Sequence, residues 1–168
     1  SSSNQISEVG AESLALGLPF LTRLKTLSLA GNAIKDAGAR CLAFALPSLI
    51  NLESLEFDSC DIGDVGATSF AAGLPFLFNL NSLHLRKNQI ADCGTSAIAL
   101  ALTSVVNLRE LYLQDNKLGD ACVSSLVAML SALTKLSTLD LSNNSIGGAA
   151  SVPFVYILSS LKSLTLTT

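Results

Sequence analysis

Apolar residues recur along this chain in a pattern with a period of about 28 residues. Each unit opens with apolar residues at its first, fourth and sixth positions, and most of them are leucine. The opening leucines of the five units are Leu24, Leu52, Leu80, Leu108 and Leu136. The alternation of apolar and polar positions at the end of each segment predicts a short strand with one buried face. A repeat of this length predicts a stack of similar units rather than a closed globule.

The second half of each unit predicts a helix that returns the chain to the next strand. In the first unit Asn32 begins a turn, and Asp36 is a predicted N-cap that accepts hydrogen bonds from free backbone N–H groups. Apolar residues then recur at helical spacing, including Leu42 and Leu46, and Pro47 is expected to end the helix. Stacking such units in parallel buries the strand and helix leucines together. Since helices are wider than strands, the stack should curve with the strands inside.

The pattern LxxLxLxxN followed by xIxDxGxxxLAxxL resembles the leucine-rich repeat family, in its ribonuclease-inhibitor-like class. The resemblance implies an α/β fold, a right-handed solenoid with parallel strands on the concave face and helices on the convex face. It also implies that the concave face binds proteins. We expect one domain over residues 1–168, with about five full repeats and a partial unit at each end.

One column of the repeat predicts a structural ladder rather than a functional site. In the family this asparagine hydrogen-bonds the backbone of the turn, and cysteine can replace it. The physical reason is that a buried turn leaves backbone groups in need of partners. The column contains Asn4, Asn32, Cys60, Asn88, Asn116 and Asn144. A glycine column at the helix start, as at Gly94, indicates close packing and not a phosphate loop.

The pattern weakens at both ends of the chain. The segment from Leu161 to Leu166 fits the strand if the unit that begins at Leu136 is three positions shorter than the others, which would put Thr165 in the column of Asp140. Repeat stacks need polar caps over their terminal cores, and neither end carries a clear one. We therefore expect a piece of a longer array, or self-association through uncapped ends.

Composition narrows the classes of partner. Apolar residues make up 49% of the chain and charged residues 14%, so it should fold around a large core. A net charge of −3 spread along the chain argues against nucleic acid and against an anionic membrane, since both need a dense basic patch. The four cysteines and single histidine have no metal-ligand spacing, so we expect no metal, no cofactor and a reducing, cytoplasmic location.

Three columns that vary between units should face the concave side: the residue between the last two leucines and the two that follow the last one. Charged and aromatic side chains concentrate in the middle units of these columns. The predicted binding patch comprises Glu56, Asp58, His84, Arg86, Lys87, Tyr112, Gln114 and Asp115, with Asp140 beside it. Tyrosine and arginine are frequent binding anchors. The alternative is an ordinary solvated face, with Asp58–Arg86 and Glu56–His84 as cross-strand pairs.

Catalysis is not expected from these residues. A nucleophile would have to lie within hydrogen-bond reach of His84, but Ser28 is two strands away, ~9–10 Å. Ser82 lies two positions along the same strand, ~6–7 Å away. The open face also provides nothing to exclude water.

The sequence therefore predicts a protein–protein interaction module that is not an enzyme. Two alternatives remain open. One is a regulator of a small GTPase, which could act through Arg86, Lys87 or Asn143. The other is a receptor-type ligand-recognition domain, for which Asn144 is a formal glycosylation acceptor.

Overall fold

A computed structural model describes residues 5–147 and the strand at 165–167. Strands and helices alternate in the predicted order. The helices are α1 (Glu8–Gly17), α2 (Lys35–Ala45), α3 (Asp64–Gly73), α4 (Asp92–Leu102) and α5 (Val123–Ala132). The strands are β1 (Thr26–Ser28), β2 (Ser54–Glu56), β3 (Ser82–His84), β4 (Glu110–Tyr112), β5 (Thr138–Asp140) and β6 (Thr165–Thr167). Short 3₁₀ turns follow α1, α2 and α3, and their second residue is the predicted helix-ending proline.

The described strands form one parallel sheet whose order follows the chain. From β1 to β5 each residue pairs with its equivalent in the next repeat, as Leu27 does with Leu55. The strand leucines and the inner faces of the helices enclose one continuous core, in which Leu55, Leu42 and Leu126 are fully buried. This architecture confirms the predicted α/β solenoid. No helix among the described residues is long and apolar enough to cross a bilayer.

The asparagine column joins neighbouring repeats through their backbones. Asn88 donates its side-chain N–H groups to the carbonyls of Phe57 at 2.8 Å and Leu85 at 3.0 Å. Its side-chain oxygen accepts from the N–H groups of Cys60 and Ile62, both at 3.1 Å. One buried amide thus satisfies backbone groups of two consecutive turns. Asn32, Asn116 and Asn144 make the corresponding bonds.

Cys60 performs half of this role. Its thiol donates to the carbonyl of Leu29 at 3.1 Å, as an asparagine N–H would. Burial raises the pKa of Cys60 to about 11, so the thiol keeps its proton at neutral pH. A thiol is a poor acceptor, however, and the N–H of Ile34 bonds the carbonyl of Asn32 instead. The backbone of the turn before α2 therefore differs from that of the later turns. Lys35, at the end of this turn where α2 begins, adopts a left-handed conformation with φ 52°.

The aspartate column was predicted to cap its own helix, and that prediction was wrong. The N-cap residues of α2, α3 and α4 are Ile34, Gly63 and Ala91, and none of them caps its helix through a side-chain hydrogen bond. Each aspartate instead reaches the helix start of the following repeat. The Asp64 carboxylate accepts from the N–H groups of Ala91 at 2.8 Å and Gly94 at 2.9 Å. The aspartate carboxylate of one repeat therefore caps the helix of the next, and capping holds the repeats together.

The aspartate carboxylate leaves no room for a side chain on the glycine of the next repeat, as Gly94 shows. A Cβ atom on Gly94 would lie 2.7 Å from Asp64 Oδ1 and 2.8 Å from the Ala67 Cβ. In the next unit Cys122 replaces the glycine, and its N–H lies 3.3 Å from Asp92 Oδ1. The first turn of that unit is a 3₁₀ turn, and α5 begins only at Val123. The larger side chain therefore loosens the cap and delays the helix.

The register of the last strand also differs from the prediction. Leu166 pairs with Leu139 and Thr167 with Asp140, so the last unit is one position shorter than the others and not three. Thr165 pairs with Thr138 rather than with Asp140. A shift of two positions keeps the same side chains on the same face, so alternation alone does not exclude it. Asn4 and residues 148–164 lie outside the described residues.

Two glycine-to-alanine substitutions should have opposite effects on stability. Gly94→Ala should lower the free energy of unfolding by about 1–3 kcal/mol, because the new Cβ overlaps Asp64 and Ala67. Gly17→Ala should raise it by about 0.4–1 kcal/mol, since its backbone is α-helical and nothing lies within 4 Å of the new Cβ. Urea unfolding followed by circular dichroism measures both values. Equal effects would contradict the close packing at Gly94.

Candidate functional site

The residues of the predicted patch lie side by side along the strand face of the sheet. Glu56, His84, Tyr112 and Asp140 each end a strand, and the sheet pairs them in that order. The second column, which includes Asp58, Arg86 and Gln114, follows one buried residue later. Lys87 and Asp115 belong to the third column and occupy left-handed turns with φ values of 54° and 57°. Strand alternation explains the arrangement, since every second side chain points away from the core.

Asp58 and Arg86 form a cross-strand ion pair at the centre of this face. Asp58 Oδ2 accepts from Arg86 Nε at 2.8 Å and lies 2.6 Å from Nη2. Asp58 Oδ1 also accepts from the Arg86 backbone N–H at 2.7 Å. Asp58 is only 9% exposed, and these bonds satisfy both of its carboxylate oxygens. The hydrogen bond to Asp58 raises the pKa of Arg86 above its usual value.

Tyr112 packs between two of its neighbours on the same face. Its ring centroid lies 4.5 Å from that of His84, and the Arg86 guanidinium carbon lies 5.8 Å from it. Burial raises the pKa of Tyr112, and the nearby Glu110 and Asp140 raise it further while Arg86 lowers it. These three side chains therefore form a pre-organised cluster in which the tyrosine carries no charge at neutral pH.

Ser82 and Glu110, which are not among the predicted patch residues, also belong to this cluster. The Ser82 hydroxyl and His84 Nε2 share a hydrogen bond of 2.7 Å, and Ser82 also donates to Glu110 Oε2 at 3.1 Å. The predicted spacing of ~6–7 Å is a backbone distance and was wrong for the side chains, which lean towards each other along the strand. Strand alternation could have identified Ser82 and Glu110, because residues two positions apart share a face.

Glu56 and His84 are strand partners, but among the described residues their side chains form no hydrogen bond or ion pair, contrary to one hypothesis from the sequence. The Glu56 carboxylate accepts from the Ser54 hydroxyl at 3.4 Å, while the carboxylate near His84 belongs to Asp58. Asp58 Oδ2 lies 3.9 Å from His84 Nδ1, which is too long for a hydrogen bond. Asp58 is also already bound to Arg86. Ser82 and His84 therefore lack the hydrogen-bonded third carboxylate that orients the histidine in a Ser-His-Asp triad.

A shallow cavity of about 250 Å³ opens beside the ion pair. Asp58 and Arg86 form one side, and the turns with Lys87 and Asp115 form the other. Gln114 also lines it, and its side-chain oxygen is buried without a hydrogen-bond partner among the described residues. An unsatisfied buried acceptor is costly, so a group that donates to Gln114 would be stabilised there.

Comparison with known proteins finds the same repeat. A family model described as "Leucine Rich repeat" matches residues 21–43, 48–71, 77–99, 106–127 and 132–150. No curated protein matches the chain in sequence. Among solved structures 98 chains match.

Three of these structures indicate how general the architecture is. Internalin C2 of Listeria monocytogenes is 30% identical with a TM-score of 0.61, over 89% of this chain and 53% of the internalin. The present chain thus spans about half the length of that protein. The tropomodulin C-terminal domain of Caenorhabditis elegans is 15% identical with a TM-score of 0.66, over 89% and 91% of the two chains. The actin-binding site 2 structure of leiomodin-1 is 17% identical with a TM-score of 0.67, over 90% and 87%. At these identities the last two comparisons concern the fold alone.

Removing the central carboxylate should test how strongly the cluster is held. Asp58→Ala should lower the free energy of unfolding by about 1–3 kcal/mol, because the Arg86 backbone N–H and guanidinium lose their acceptor. Asp140→Ala is the matched control, since among the described residues Asp140 accepts side-chain bonds only from Ser142 on its own strand end. Urea unfolding should show a smaller loss for Asp140→Ala. A larger loss for the control would contradict the pairing described here.

Proposed function

The chain belongs to the leucine-rich repeat family, and we propose that it is a protein–protein interaction module that binds its partner through the concave strand face. The proposal treats residues 1–168 as one domain. The observation that carries it is the contrast between columns. Positions that repeat from unit to unit satisfy the backbone or fill the core, whereas the three strand-face columns of the predicted patch change at every repeat.

The chemistry of the central cluster supports binding. Tyr112 and Arg86 are the residue types found most often as anchors in protein interfaces. The bond to Asp58 fixes the guanidinium, so less conformational entropy is lost when a partner contacts it. The cavity beside it is lined by Gln114 and by the exposed Lys87. A partner loop with an acidic group fits these features.

The alternative functions gain no comparable support. An arginine that completes the active site of a GTPase must be free to reach it, but Arg86 is held by Asp58. Asn144 donates to Leu113 and Leu141 and accepts from Leu118, so its amide is engaged in the ladder and poorly placed for a glycan. The cysteines of the described residues are free thiols, which supports our proposal of a cytoplasmic location.

Substitution of the two anchors tests the proposal directly. Partners captured by the wild-type chain from an extract of its source cells should be lost with the double variant Arg86→Ala/Tyr112→Ala. The matched control is Arg40→Ala/Phe44→Ala, which removes an arginine and an aromatic residue from the exposed side of α2. Quantitative mass spectrometry of the captured proteins gives the readout. Unchanged capture by the Arg86/Tyr112 variant would refute binding through this patch.

A further inference from the structure

A second surface lies along the edge of the solenoid where the helices return to the strands. It is made of five equivalent segments, residues 18–25, 46–53, 74–81, 102–109 and 130–137. In a parallel sheet the starts of all strands lie at the same edge, so these segments lie next to one another. We call this surface the return edge. It differs from the patch predicted from the sequence, whose residues lie at or beyond the opposite ends of the strands, although Ser82 and Glu110 begin β3 and β4 beside it.

Large apolar side chains protrude from the return edge. Six of them are between 47% and 84% exposed: Phe20, Leu21, Ile50, Phe76, Phe78 and Val106. Ile50, Phe78 and Val106 occupy the same position in consecutive repeats. Large apolar side chains exposed in a contiguous group indicate an interaction surface more often than isolated ones do.

The backbone holds this apolar row in a fixed line. Asn79 donates to the carbonyl of Ile50 at 2.9 Å, and Asn107 donates to the carbonyl of Phe78 at 2.7 Å. Asn51 makes the same bond to Thr22 at 2.8 Å. Ile50 and Phe78 are therefore each tied to the next repeat through their own carbonyls. The row is pre-organised, which lowers the entropic cost of binding a partner.

The charge of the return edge is opposite to that of the rest of the chain. Its five segments contain four basic residues (Arg23, Lys25, Arg109 and Lys135) and one acidic residue, Glu53, for a net charge of +3. The remaining residues contain six basic and twelve acidic side chains, for a net charge of −6. The basic residues occur in the first and the last two segments, so they flank the apolar row at both ends. Lys25 pairs with Glu53 at 2.8 Å, and Arg23, Arg109 and Lys135 are exposed.

We propose that the return edge is a second docking surface, and that it binds an acidic amphipathic segment of a partner protein. The apolar side of that segment would cover Ile50, Phe78 and Val106, and acidic residues at its ends would meet the basic flanks. Neighbouring repeats are ~5–10 Å apart at this edge, between the strand and helix spacings. The four steps from the first segment to the fifth therefore cover ~20–40 Å, and a helix of about 18 residues, ~27 Å long, would reach from one basic flank to the other.

A bilayer explains the same features less well. The basic residues are spread over three of the five segments, whereas an anionic membrane is bound by a dense basic cluster. Ile50, Phe78 and Val106 form a single row with basic residues at its two ends, which matches one stripe of a helix better than a plane of lipid. A second copy of this chain would have to offer an acidic, apolar strip of its own.

A peptide selection tests the proposal. Random peptides long enough to form the helix described above are displayed on their mRNA and selected on the immobilised full chain, and enriched sequences are synthesised for fluorescence anisotropy. We expect peptides with acidic ends and a central apolar stripe. Their affinity should fall at least tenfold for Ile50→Ser/Phe78→Ser and for Arg109→Glu/Lys135→Glu. It should change less than twofold for Arg86→Ala/Tyr112→Ala, so failure here is distinct from failure of the strand-face patch.

Other outcomes overturn the proposal. No enrichment, peptides without an acidic bias, or affinity lost only with Arg86→Ala/Tyr112→Ala would each do so. Vesicles of phosphatidylcholine and phosphatidylserine in a two-to-one ratio test for a lipid partner. Binding of the wild-type chain but not of the Ile50→Ser/Phe78→Ser variant would identify a lipid surface instead. Sedimentation velocity that showed a dimer abolished by the same variant would identify a second copy. Circular dichroism verifies that each variant is folded.

Discussion

The structure depends on the pairing of buried backbone groups between neighbouring repeats. A turn that passes into the core leaves N–H and carbonyl groups without water, and each unsatisfied group costs about 1–3 kcal/mol. The side-chain amide of Asn88 hydrogen-bonds backbone groups of two turns at once. The carboxylate of Asp64 accepts from backbone N–H groups at the start of the next helix. A single repeat cannot complete these bonds, so stability arises only when repeats stack. The constant period of the sequence follows from this requirement.

This constraint also decides which residues are available for function. Asparagine, aspartate, glycine and leucine columns are committed to the stack, and a change there alters the turn itself, as Cys60 and Cys122 show. The exposed side chains of the strand face and of the return edge lie outside these columns, although Asn79 and Asn107 of the return edge also bond neighbouring repeats. They differ in character, because the strand face combines an ion pair with an aromatic ring, whereas the return edge combines an apolar row with basic flanks. One scaffold thus presents two chemically distinct surfaces.

The sequence was sufficient to predict the fold because period and alternation report burial directly. It predicted the α/β solenoid and the order of its strands and helices, and the structure confirms both. It failed where contacts cross between repeats. The aspartate cap was assigned to the wrong helix, since spacing along the chain does not show that the Asp64 carboxylate bonds the N–H groups of Ala91 and Gly94 in the next repeat. The register of β6 was wrong because a shift of two leaves the alternation intact. Ser82 and Glu110 were missed because only positions after the second leucine of each strand were considered.

The central claim is that repeated columns build the molecule while variable strand-face columns are free for recognition. The most direct test compares the free energies of unfolding of Asn88→Ala and Glu56→Ala by urea denaturation. Asn88 bonds backbone groups on both sides of its repeat, so its loss should cost at least about 3 kcal/mol. In the described part of the chain Glu56 accepts only a long side-chain bond from Ser54, and its loss should cost less than about 1 kcal/mol. A loss for Glu56→Ala that equals or exceeds that for Asn88→Ala would contradict the account.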